Sequence, residues 1–445
     1  MKPGAPRHPA HFAPPPLLIA LGATALVVGL LGLRARRPST RNPGLITYVS
    51  ATLGAASAAP SSAASAASAA LGASTAQGAG ALLGSARPGP PAMLHLDARR
   101  TNRSPFAAPL HPRVAWTYDA GGPIVAAPAL VGERVVVASL SGRLAALGPE
   151  GRPVWAIELR ERLYGSPLLL GEWLLVGVDG GALVAIDAAT GAQRWKLSTD
   201  ADADTAPAPL DDGAVFAAGP QLIALRRDGA VRWRYKARKK IFASPAVADD
   251  GTVVIGDQAH RVTALRSDGR VLWSFDAGSD VDATPVIGEG GVVYAGTDGA
   301  EIIALDLATG APRWRRAVGG KVRGPLALGR DGTVFAGTYG PEPALVALAA
   351  ADGAPRWRFA LTRGSPEVGV HGAPLEDRQG LLVFGAHDDA LYALNPGGEL
   401  AWRLALGGDI DPESVVPSRR GNVPLAEARG SALHGFGKAS ARGGE

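Results

Sequence analysis

The 445-residue chain has 59 glycines and 36 prolines but no cysteine. That excludes disulfides, thiolate catalysis, cysteine-ligated metals and a lipid on an N-terminal cysteine. Its net charge of +5 arises in residues 1 to 93, where Lys2, Arg7, Arg34, Arg36, Arg37, Arg41 and Arg87 stand without a single acid. Residues 94 to 445 hold 38 basic and 40 acidic side chains, a net of −2, which is not the basic footprint of a nucleic-acid binder.

After a short tail, residues 1 to 16, comes the uncharged run Leu17 to Leu33. As a helix its 17 residues reach about 25 Å, the short end for crossing a bilayer. Pro14 to Pro16 before it and an arginine cluster after it favour a transmembrane helix or signal anchor over a buried helix of a globular fold. Arg34 follows directly with no small-residue cleavage site, so an uncleaved anchor is expected, and secretion after cleavage is the alternative. Flanking positive charge is nearly balanced and leans slightly toward a cytoplasmic C-terminal portion. The reading adopted nevertheless places the folded part in the periplasm or outside the cell. Residues 34 to 93 read as a flexible linker, since 51 to 92 are almost all Ala, Ser, Gly and Pro and offer little to bury.

From residue 94 to about 436 the sequence repeats. Trp116, Trp155, Trp195, Trp233, Trp273, Trp314, Trp357 and Trp402 recur every 38 to 45 residues, a period suited to a four-stranded unit. A glycine lies four residues before each of the last seven: Gly151, Gly191, Gly229, Gly269, Gly310, Gly353 and Gly398. Upstream stands a small residue followed by Leu or Ile, as in Ala304-Leu305. Downstream comes a proline after a small residue, as in Ser244-Pro245. The glycine suits a hairpin turn at positive φ, and an Asp before it suits an Asx-turn. One such sheet has two apolar faces, and radial stacking buries both, with Ala and Gly near the axis and Trp in the wide outer interface. The expectation is an all-β propeller of eight four-stranded antiparallel blades, seven being the alternative. The worn tail copy carries Val416-Pro417 and Ala432-Leu433, and residues 437 to 445 form a disordered tail.

The form Ala-Leu-Asp-x-x-Thr-Gly-x-x-x-Trp, best kept in 184–195 and 303–314, resembles the repeats of the PQQ-like (quinoprotein-like) propeller superfamily. The approach from Leu94 to Pro105 resembles the lead-in of its bacterial members. The resemblance implies one of two activities. One branch holds alcohol and sugar dehydrogenases with pyrroloquinoline quinone and calcium on the axis. The other holds non-enzymatic, protein-binding propellers such as the BamB-type subunit of outer-membrane β-barrel assembly. The dehydrogenases share adjacent cysteines beside the quinone, absent here, and no Asp-Glu-Asn set stands out. The reading adopted is a non-catalytic, membrane-anchored, monomeric protein-binding propeller with no cofactor or metal. A quinone-dependent dehydrogenase and a saccharide or small-ligand binder are the alternatives.

The loops from each Trp strand to the next proline strand should share one face, and their charges alternate. Asp200, Asp202 and Asp204 are followed by Lys236, Arg238, Lys239 and Lys240. Asp276, Asp280 and Asp282 come next, then Lys321 and Arg323, then Asp409, Asp411 and Glu413. This is the candidate partner-binding rim, with a merely solvated loop face as the bland alternative. Asp200, Asp202 and Asp204 open like a calcium loop, but Thr205 replaces the required glycine and no Glu closes it. His260, His371, His387 and His434 lack metal spacing. The longest loop, 361 to 372 with Ser365-Pro366-Glu367, should carry unit-specific contacts.

Overall fold

In the computed structural model, residues 93–361, 369–370, 372–388 and 390–405 are described, together with the strands Leu45–Val49, Val423–Leu425 and Ala432–His434. The apolar run 17–33, most of the linker, Asp409, Asp411, Glu413, Val416-Pro417, His371, Ser365-Pro366-Glu367 and the tail 437–445 lie outside these residues. Among the described residues no helix is long and apolar enough to cross a membrane.

Seven blades follow one another in the chain, each a four-stranded antiparallel sheet with its strands in sequence order. They form a β-propeller with the blade count of the seven-bladed alternative. Blade 1 runs from Ala129–Val131 to Pro153–Glu158, and blade 7 from Leu375–Glu376 to Leu400–Ala405. Short first strands of neighbouring blades touch around the axis, and the Trp strands lie outermost. The four remaining strands make a further sheet in the order Val423–Leu425, Leu45–Val49, Val114–Asp119, Ala432–His434. The strand Leu45–Val49 comes from within the segment read as linker.

The repeated residues are explained by contacts between blades. Each repeat Trp from Trp116 to Trp357 lies against the glycine of the blade that follows it. A Cβ on Gly151, Gly191, Gly229, Gly269, Gly310, Gly353 or Gly398 would meet the preceding blade's Trp ring at 2.4 to 2.9 Å. All seven glycines have φ between 70° and 89°, so turn and contact both demand glycine. In most repeats the indole then donates onward, as Trp314 Nε1 to Ala350 O at 2.9 Å and Trp273 Nε1 to Leu307 O at 2.7 Å, whereas Trp195 Nε1 is buried without a partner. Across the strand pair the Trp faces the small residue of the motif, as Ala304 faces Trp314, and the register shifts at the next residue so that Leu305 faces Pro312. The small residue before each proline has its own task. Ser166 Oγ accepts from Ala127 N–H of blade 1, Ser244 Oγ from Ala206 N–H of blade 3, and Thr284 Oγ1 from Ser244 N–H of blade 4. These bonds stitch blades together near the axis.

There is no single core. Separate apolar clusters fill the gaps between adjacent blades, such as Val136, Leu144, Val176 and Val184 between blades 1 and 2. Each fully buried Val or Leu contributes about 1.5 to 3 kcal/mol to such an interface.

The lead-in fills the axis. Inner strands have a free edge there, and the carbonyls of Ala98, Arg99, Thr101 and Asn102 accept from Val247, Ile287, Leu328 and Glu376 N–H in blades 4 to 7. The fully buried Arg100 donates to the carbonyls of Leu94, Pro245, Ala206 and Pro207, and Asn102 Nδ2 to those of Ala373 and Pro374. Buried carbonyls that no sheet could pair are thus satisfied by one segment.

Candidate functional site

One end of the propeller carries a ring of ordered loops. In every blade the turn between the second and third strands donates an N–H to the loop that enters the blade. The pairs run Leu140 to Pro123 O, Asp179 to Arg162 O, Gly219 to Asp202 O and Gln258 to Lys240 O. They continue with Asp298 to Asp280 O, Tyr339 to Lys321 O and His387 to Gly369 O. This lacing is the same in all seven blades and holds the charged rim in fixed positions.

The rim residues expected from the sequence lie on or beside these loops, and several of their charges are already paired, one of them within the rim and the others with neighbouring turns. Lys240 Nζ holds Asp204 Oδ2 at 2.8 Å, and His260 Nε2 lies 3.2 Å from Asp280 Oδ1. Arg323 grips Asp298 with Nε at 2.9 Å and Nη2 at 2.6 Å, and Lys321 adds a contact at 3.3 Å. At Asp298, burial alone would push the carboxyl up, but Arg323 and Lys321 outweigh it and hold the group below the ordinary carboxylate range. Asp282 keeps one weak contact, to Gln258 Nε2 at 3.5 Å, while its Oδ1 is buried without a partner. Burial, then the charge of Asp298, pushes its carboxyl up.

The acidic loop is arranged differently from the calcium-loop pattern. Asp200 turns away to accept from Gln221 Nε2 at 2.8 Å. Its place beside Asp202 and Asp204 is taken by Asp179 of blade 2, and carboxylate oxygens of these three lie within 4.8 Å of one another. Burial, then the charges of Asp202 and Asp204, raises the Asp179 pKa. Two of the three are already engaged, since Asp202 Oδ1 accepts Gly180 N–H at 3.0 Å and Asp204 holds Lys240.

Three cations of the rim stand apart. Lys236, Arg238 and Lys239 are exposed, and no carboxylate among the described residues is in ion-pair contact with them. Beside them Phe242 is 42% exposed, with Lys240 Nζ 4.2 Å from its ring centroid. Acidic residues flank this patch, Asp200 in the preceding loop and Asp280 in the next. The sequence reading missed Asp179, Asp298 and Phe242. The first two had a signal, because Asp179-Gly180 and Asp298-Gly299 occupy the same turn in blades 2 and 5. Phe242 had none, since an aromatic two residues before a repeat serine reads as core.

Asp306 and Asp187, which stand in the best-kept motifs, are engaged within their own turns. Asp306 binds Arg313 Nη2 at 2.8 Å and accepts from Thr309 N–H and Oγ1 within its own turn, which lowers its pKa to about 2. Asp187 does the same with Arg194 and Thr190.

Residues 111–206, 179–325 and 258–434 match the family model described as outer membrane protein assembly factor BamB. No curated protein matches the chain. Solved structures similar to it include BamB from Moraxella catarrhalis, 20% identical, with a TM-score of 0.56 over 68% of this chain and 96% of that one. A europium-containing methanol dehydrogenase is 13% identical, with a TM-score of 0.65 over 73% of this chain and 86% of that one. The quinohemoprotein alcohol dehydrogenase from Comamonas testosteroni is 14% identical, with a TM-score of 0.63 over 80% and 82%. At these identities the likeness to solved structures concerns the fold alone.

Proposed function

The chain belongs to the family described as outer membrane protein assembly factor BamB, and from that premise we propose that it is a non-catalytic propeller that binds proteins outside the cytoplasm. The observation that carries this reading is the laced rim. Seven loops are fixed in place by one repeated hydrogen bond, and they present Lys236, Arg238, Lys239 and the exposed Phe242 without internal neutralisation. Fixed loops lose little freedom on docking, and an exposed aromatic among cations suits a protein surface. The flanking Asp200 and Asp280 disfavour an extended polyanion such as nucleic acid, whose phosphates would lie over them. The proposal includes anchoring by the run 17–33 and a role in cell-envelope assembly.

The quinone-dependent alternative needs room on the axis. Here the chain's own Ala98 to Asn102 occupies the inner strand edges of blades 4 to 7, with Arg100 bonded across them. The donors on the rim are a poor fit as well, because the acidic trio is engaged by Gly180 N–H and Lys240. Incubation with pyrroloquinoline quinone and calcium, followed by dye-linked oxidation of alcohols and sugars, tests this directly. The proposal expects no oxidation above a protein-free control, and turnover that depends on both additions would overturn it.

A further inference from the structure

The four loops that enter blades 3 to 6 are held to one plan. In each, two backbone N–H groups donate to carbonyls at the second-to-third-strand hairpin of the blade before. Thr199 and Ala203 donate to Gly181 O and Val178 O, Ala237 and Ile241 to Pro220 O and Gly219 O. Ala277 and Val281 donate to His260 O and Asp257 O, Val318 and Val322 to Ala300 O and Thr297 O. Ala203, Ile241, Val281 and Val322, the second of each pair, are all buried. The side chains between and beside these two bonds therefore occupy equivalent places and can be compared one for one.

The loop entering blade 4 departs from the other three at every outward place. Arg238 and Lys239, both exposed, stand where the neighbours have Asp200 and Ala201, Gly278 and Ser279, or Gly319 and Gly320. Phe242 stands where they have Asp204, Asp282 and Arg323. Those three are engaged with the protein itself: Asp204 with Lys240 at 2.8 Å, Asp282 with Gln258 at 3.5 Å, and Arg323 with Asp298 at 2.6 Å. Phe242 instead leaves 42% of its surface in solvent, and the Lys240 ammonium lies 4.2 Å from its ring centroid. Holding the loop does not require an aromatic there, because three loops without one keep the same pair of bonds. An exposed aromatic beside unneutralised cations is costly surface for a chain that gains nothing from it in folding.

We propose that this loop receives a short acidic segment of a partner protein, with one apolar side chain of that segment seated against Phe242. The proposal rests on the protein-binding reading and names the chemistry of the partner. Carboxylates of the segment meet Lys236, Arg238 and Lys239, which no carboxylate among the described residues neutralises. Contact with Phe242 removes apolar surface from water, and the Lys240 ammonium already at its ring favours an apolar visitor over a further cation. The segment is short because the cationic stretch is bounded. Asp200 lies in the preceding loop and Asp280 in the next, so a long acidic run, or a flat anionic lipid surface, meets like charge on both sides.

The test uses the full chain and a fluorescent peptide with glutamates on both sides of one phenylalanine, followed by anisotropy at low ionic strength. Saturable binding is expected. It should weaken about tenfold or more with Lys236→Glu plus Arg238→Glu, and about fivefold or more with Phe242→Ala, at unchanged thermal midpoints. A variant with Lys236→Glu, Arg238→Glu and Lys239→Glu should instead prefer the same peptide with lysines for glutamates. Equal binding of both peptides by the parent protein would overturn the proposal, as would binding indifferent to Phe242→Ala. Capture by phosphatidylglycerol vesicles that the peptide does not compete away would also overturn it, in favour of a lipid surface. A protein crosslinked from position 239 whose capture survives all these substitutions would overturn the acidic partner and leave the protein-binding reading standing. No protein adduct from that position would remove both.

Discussion

At the scale of single residues, the repeat reduces to a Trp, a glycine and an Ala that meet in space although they come from two blades. Trp314 faces Ala304 in its own blade, packs on Gly353 of the next and donates to Ala350 O. Trp314→Ala should cost about 3 to 5 kcal/mol in chemical denaturation, the usual range for emptying an aromatic site. The glycine prediction separates contact from conformation. Gly353 and Gly332 have φ of 70° and 74°, but a Cβ on Gly353 would lie 2.7 Å from the Trp314 ring, while one on Gly332 meets nothing within 4 Å. Gly332→Ala should therefore cost only the strain, about 1 kcal/mol. Gly353→Ala should cost clearly more, and equal losses would refute the docking account. His95 supplies a pH dependence. Its ring is buried with neither nitrogen partnered, and burial, then the charge of Arg100, holds its pKa well below the ordinary histidine range. The folded state keeps it neutral, so unfolding takes up a proton once the pH falls below about 6.5. The stability is fully present above that pH and declines below it. His95→Gln should show a smaller loss between pH 7 and pH 5 than the parent protein.

At the scale of elements, the strands and hairpins were legible in the sequence because each unit states its own turn chemistry. Gly310 does adopt positive φ, and Asp306 does form the turn that opens toward it. The lead-in was legible only as a resemblance. Nothing in Leu94 to Pro105 says that its carbonyls will serve inner strands of four different blades, because those partners lie more than a hundred residues away in sequence. Arg100 is the residue on which this depends. Arg100→Met keeps the volume but leaves buried carbonyls of Pro245, Ala206 and Pro207 without that donor. A loss of about 3 kcal/mol or more is expected in denaturant titration, from the cost of unpaired buried groups. A change under 1 kcal/mol would mean that the axial segment is an ornament rather than a strut.

At the scale of the whole molecule, periodicity determined the architecture and left the site half written. The alternating charges of the rim were visible as a pattern, yet pairing between blades cancels several of them, as with Lys240 and Asp204 or Arg323 and Asp298. Only the fold shows which charges remain available, since that depends on turns such as Asp298-Gly299 meeting loops from a different part of the unit. Among the described residues, the rim cations left without a carboxylate are Lys236, Arg238 and Lys239, with Phe242 beside them on one end of the propeller. The opposite end carries the glycine turns, among them the exposed Asp352. The most direct measurement is photo-crosslinking in intact cells from a benzoylphenylalanine placed at Lys239, with the same probe at Asp352 as the control. The account predicts a discrete protein adduct from position 239 that is lost when Lys236 and Arg238 are changed to Glu, and none from position 352. No adduct from the rim, or the same adducts from both ends, would contradict it.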